Sequence, residues 1–165
     1  MYPNETWEYF AEKLISDGYE CFYIQVHNDV GSGFGFGRGP LFEDDNRIID
    51  FCKAYPNKAP QILAGMIPLY SDSNKGSFGK LFMFLLDEFG NDESVLSSLH
   101  SNMHSFSWAG SPIPLFQDNI ECLKSLLSHK RKTVRACAQR CINEYEAEIK
   151  RETSHEEFMR MHYEK

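Results

Sequence analysis

The residues in this chain with the types and spacing for chemistry are few. His100 and His104 stand four apart in the run HSNMH. On a helix that spacing puts both imidazoles on one face, as metal ligands require. The run lacks the Glu that supplies the base in H-E-x-x-H, and no third ligand is evident from spacing. The pair therefore reads as polar-face histidines, and no metal site is assigned. His155 begins HEEFM, which has the Glu but no second His in place. Ser77 to Lys80 fits S-x-x-K, but its companions are missing: SDS stands where SDN is needed, and Lys132-Thr133 lacks the following Gly. No G-x-S-x-G occurs. Cys137 and Cys141 share a helix face without a paired base.

Phosphate binding fails on spacing too. The run GSGFGFGRG, Gly31 to Gly39, places Gly at every second position instead of as G-x-G-x-x-G, and no long helix follows directly. The run GSFGK, Gly76 to Lys80, is too short for a Walker loop. His27 and Asp29 flank the Gly-rich run and permit a third reading, a small enzyme with its site there, although an ordinary turn accounts for them. The expectation is a protein without catalytic machinery and without a cofactor.

Two clusters read instead as partner contacts. One is the basic run His129, Lys130, Arg131 and Lys132, with Arg135 after it. It follows the C-terminus of one expected helix, where cations are favourable, and precedes the N-terminus of the next, where free N–H groups attract anions. The other is the Gly-rich loop, from which Phe34, Phe36 and Arg38 project. Aromatic anchors of this kind often carry interface energy.

The elements that must position these groups are mostly helical. Trp7, Phe10, Ala11, Leu14 and Ile15 mark a helix over Thr6–Ser16, stopped by Asp17-Gly18. Tyr19 to Val26 is aromatic and β-branched and reads as a strand, with a buried helical turn as the competing reading. It would form a short β-hairpin near residues 19–38. From Asp45 the apolar spacing predicts six helices: Asn46–Tyr55, Ala59–Tyr70, Phe78–Phe89, Ser94–Phe106 with Asp92 as N-cap, Pro114–Leu127 and Thr133–Arg151. Turns rich in Pro, Gly, Ser and Asn join them into three hairpins. The charged tail, 152–165, either continues the last helix or frays.

At 165 residues the chain is long enough for one domain with a real core, and its 42% hydrophobic content argues against disorder. That domain comprises an N-terminal part (1–44), three helical hairpins (45–151) and the tail. Net charge is −7, and residues 1–110 carry 15 acidic against 7 basic side chains. Such a surface repels phosphate, which argues against nucleic acid, and attracts basic protein surfaces. The five cysteines are odd in number with no CxxC. Reduced thiols, no secretory start and no apolar run of membrane-spanning length read together as a cytoplasmic protein without a membrane anchor.

The segment SWAGSPIPLFQDNIECLKSLLSHKRKTVRACAQRCINEYEAEIKRE, about residues 107–155, resembles a terminal HEAT-like helical repeat, similar to those ending large bacterial NTP-binding and defence-type proteins. Val134, Arg135 and Ala138 match the V-R-x-x-A opening of the second helix. HisLysArgLys stands where the repeat's turn usually has Asn or Asp with Pro. The resemblance implies an all-α array of stacked helical hairpins that binds a protein partner in a bacterial defence or signalling setting. An irregular α-bundle is the alternative architecture. The alternative function is an acidic inhibitor or immunity-type protein masking a basic nuclease or nucleic-acid-binding surface.

Overall fold

The computed structural model describes residues 3–16, 44–71, 74–105 and 109–163. The fold is mostly helical. Its elements are α1 (Pro3–Ser16), α2 (Asp45–Ala54), α3 (Ala59–Ala64), β1 (Tyr70–Ser71), β2 (Asn74–Phe78), α4 (Lys80–Phe89), α5 (Glu93–Met103), α6 (Ile113–Lys124) and α7 (Lys132–Tyr163). A 3-10 turn, Ser125–Ser128, extends α6. The expected strand and hairpin over residues 19–38 lie outside the described residues.

Local chemistry sets the helix ends. The Asp44 carboxylate accepts from the amides of Asn46 (3.0 Å) and Arg47 (3.3 Å) and so starts α2. Asp92 accepts from the Ser94 amide at 2.9 Å and starts α5, as its position in the sequence predicts. Pro60 and Pro114 sit in the first turns of α3 and α6, where a missing N–H costs nothing.

The main departure from the sequence reading is in the second hairpin helix, expected over Ala59–Tyr70. It ends at Ala64, with Gly65 as C-cap. Pro68 cannot continue a helix. The chain then forms an antiparallel β-hairpin in which Tyr70 pairs with Phe78. Their rings stack at 5.9 Å and 13°, and Phe78 stacks on Phe82 of α4 at 4.3 Å. Cross-strand aromatic packing of this kind stabilises a short ladder, and helical periodicity in the apolar run concealed it.

The helices cross-pack as stacked hairpins do. α2 packs on α4, α3 on α5, α5 on α7, and α6 lies along α7. One core runs through them, from Leu14 and Ile48 through Leu63, Phe82, Leu99 and Leu123 to Tyr145. Burying each large apolar side chain contributes roughly 1.5–3 kcal/mol.

Polar stitches tie successive helices together. A helix C-terminus leaves carbonyls without partners inside the helix. Here the next hairpin supplies the donors. Asn102 of α5 donates its Nδ2 to Ala64 O (2.9 Å) and Ile67 O (3.0 Å) at the end of α3. Arg131 donates to Asp87 O and Glu88 O at the end of α4. Buried Tyr145 of α7 donates its hydroxyl to Met103 O at 2.5 Å, at the end of α5.

Candidate functional site

The sequence-predicted basic turn is where the last hairpin meets α4, and most of its polar atoms face inward. His129 is nearly buried. Its Nδ1 accepts from the Arg131 amide at 3.2 Å, and its Nε2 lies 3.3 Å from Asp87 Oδ1. Lys130 Nζ reaches the same carboxylate oxygen at 2.8 Å. The hydrogen bond from Lys130, reinforced by the charge of His129, holds the Asp87 carboxyl below its usual range. Arg135 donates to His129 O (2.7 Å) and Lys130 O (3.1 Å), wrapping the turn's own backbone. Thr133 donates to Gly90 O at 2.5 Å. Lys130 and Lys132 remain exposed. The turn is therefore first a structural joint, with two cations left on its outer side. Phe34, Phe36 and Arg38 lie outside the described residues.

Val134 and Ala138, the apolar members of V-R-x-x-A, are each 1% exposed, within the shared core. Arg135 points away from that core, to the carbonyls of His129 and Lys130.

The histidine pair acquires partners that spacing alone did not show. His100, in the last turn of α5, and His104, its C-cap, have ring centroids 4.7 Å apart. Glu144 of α7 places Oε2 2.6 Å from His100 Nε2 and 3.2 Å from His104 Nε2. Cys141, one turn earlier on α7, is fully buried. One ligand atom from each of these four side chains lies within 4.8 Å of all the others. His104 also stacks on the Tyr145 ring at 4.7 Å, and its Nε2 is buried without a hydrogen bond. Burial, with His100 beside it, holds the His104 imidazole below its usual pKa. The Cys141 thiol donates to Cys137, and that bond, with burial, pushes the Cys141 pKa up. The same bond lowers that of Cys137, helped by Arg140 nearby.

The third feature is the far end of α7. The helix continues to Tyr163, so the charged tail extends the last helix. Ile149 is the last residue packed against the core, and residues 153–162 are all exposed. Phe158, Met159 and Met161 are 50%, 41% and 62% exposed. Local bonds hold this arm: Thr153 and Ser154 donate to Ile149 O and Lys150 O, and Phe158 stacks on His162 at 4.1 Å.

Among the described residues no helix is long and apolar enough to cross a membrane. In comparisons with known proteins, no family model, curated protein or solved structure matches this chain.

Proposed function

We propose that this chain is a non-catalytic, HEAT-like helical interaction module that docks a partner protein through the arm of α7. The observation that carries the reading is the arm itself. A helix of about three turns beyond the core gains no packing energy from the fold, and helical stability in proteins comes mostly from packing. It nonetheless presents Phe158, Met159 and Met161 to solvent. Methionine and an aromatic ring on one helix are suited to an apolar groove, as in helix-in-groove recognition. Glu156 and Glu157 precede Phe158, with Arg160 between the two methionines, and the whole chain carries −7. The complementary partner is a protein whose apolar groove is rimmed by basic side chains.

The cross-packing of the hairpins and the buried V-R-x-x-A positions support the helical-repeat part of the reading. The resemblance of residues 107–155 favours a bacterial defence or signalling setting. The net charge favours a second reading, the acidic inhibitor that masks a basic nuclease surface. Salt separates the two. Binding through the apolar arm persists at high ionic strength, whereas charge masking weakens steeply as screening grows. The experiment is affinity recovery from the source cell with the intact chain and with Phe158→Ser plus Met161→Ser. The expected result is one partner recovered in high salt by the intact chain and lost by the variant. A partner held equally by both chains overturns the arm as the contact.

A further inference from the structure

We infer that His100, His104, Cys141 and Glu144 form a zinc-type divalent metal site that clamps α5 to α7. The donor set is two imidazoles, a thiolate and a carboxylate, all of which zinc accepts. Four protein ligands fill a tetrahedral shell, so the site is of the structural kind, with no open position for substrate. The mutual separations, all within 4.8 Å, fit this use. Donors around a tetrahedral zinc lie about 3.3–3.8 Å apart, so the shell forms by drawing in the farthest pair by about 1 Å and opening the His100–Glu144 pair, 2.6 Å apart without the ion, by about 0.7 Å. Thiolate and carboxylate together neutralise the ion's charge.

A plain His100–Glu144 hydrogen bond explains only part of the arrangement. It leaves His104 Nε2 buried and without a hydrogen bond, although Glu144 Oε2 is 3.2 Å away. The Cys141 sulfur, whose thiol donates to Cys137, is fully buried beside the same point. A metal ion uses all four groups. His100 and Glu144 each have the second donor one turn away, His104 at the C-cap of α5 and Cys141 on α7, which gives the bidentate presentation a helix pair can make. Metal binding would displace the Cys141 proton and add to stability, since an ion that binds only the folded state favours it by mass action.

The test uses the full chain, freed of metal and titrated with cobalt(II) and with zinc. The expected result is one equivalent of cobalt bound, with the intense visible absorption of a four-coordinate ion and a thiolate-to-cobalt charge-transfer band, both erased by zinc. Zinc at a hundredfold above its Kd raises Tm by roughly 5–10 °C. Cys141→Ser removes the charge-transfer band, while Cys137→Ser keeps it. Because Cys141 is buried and a polar replacement there disturbs the core, His100→Gln and Glu144→Gln, at partly exposed positions, provide the second arm: each weakens cobalt at least tenfold and retains the helical circular dichroism. No cobalt bound, a six-coordinate spectrum without a thiolate band, or a band that survives Cys141→Ser and His100→Gln overturns the site.

Discussion

Single residues carry the most testable physics in this chain. Gly90 ends α4, and a Cβ there would collide with Leu86 O and meet Val134 Cγ2 at 2.6 Å. Backbone and a buried core side chain cannot both yield, so Gly90→Ala should lower stability by about 1–3 kcal/mol in denaturant unfolding. Asp87 predicts a pH effect. Its carboxyl is held below the ordinary 3.8, so the unfolded chain takes up the proton first as pH falls. The stability it adds is present above that value and is lost as pH drops through the folded one. The Tm difference between the chain and Asp87→Asn should therefore narrow as pH falls below 3.8 and vanish once the folded carboxyl is protonated. Burial pushes the Cys52 thiol up to about 12, so it should stay unmodified by iodoacetamide in the native protein at neutral pH, as peptide mass mapping would show. At this scale the sequence showed the Asp92 cap and the thiols, but not the Asp44 cap. It showed half of the histidine cluster: His100 and His104 are visible as a spaced pair, but Cys141 and Glu144 join them only because α5 packs on α7. That contact is long-range, and no local spacing encodes it.

At the scale of elements, the stitches between successive hairpins explain why short helices stack without slipping. Removing the Asn102 donor leaves Ala64 O and Ile67 O without their partner at the end of α3. Asn102→Ala should cost about 1–3 kcal/mol, and exposed Ser97→Ala almost nothing, when both are compared by urea unfolding. Helix number and order after Asp45 were legible from the 3.6-residue apolar period and the Pro and Gly stops. The hairpin at Tyr70–Phe78 was not. Ile62, Leu63, Met66, Ile67 and Leu69 keep helical spacing past the point where Gly65 and Pro68 end the helix, and the pairing of Tyr70 with Phe78 is a tertiary choice. The basic turn was legible as a cluster but not as a joint. Its carbonyl and carboxylate partners, Asp87 and Glu88, lie on a different hairpin.

At the scale of the whole molecule, α7 has a buried half that completes the core and an exposed half, the proposed docking arm. Truncation after Arg151 should then leave Tm nearly unchanged, because residues 153–162 bury nothing in the described structure. The most direct test of the central claim is photo-crosslinking in the source cell, with benzoyl-phenylalanine placed at Phe158 or Met161 and, as control, at exposed Ser97 of α5. The account predicts a discrete adduct with one protein from positions 158 and 161 and none from 97. Adducts that are identical from all three positions, or absent from the arm, would contradict it.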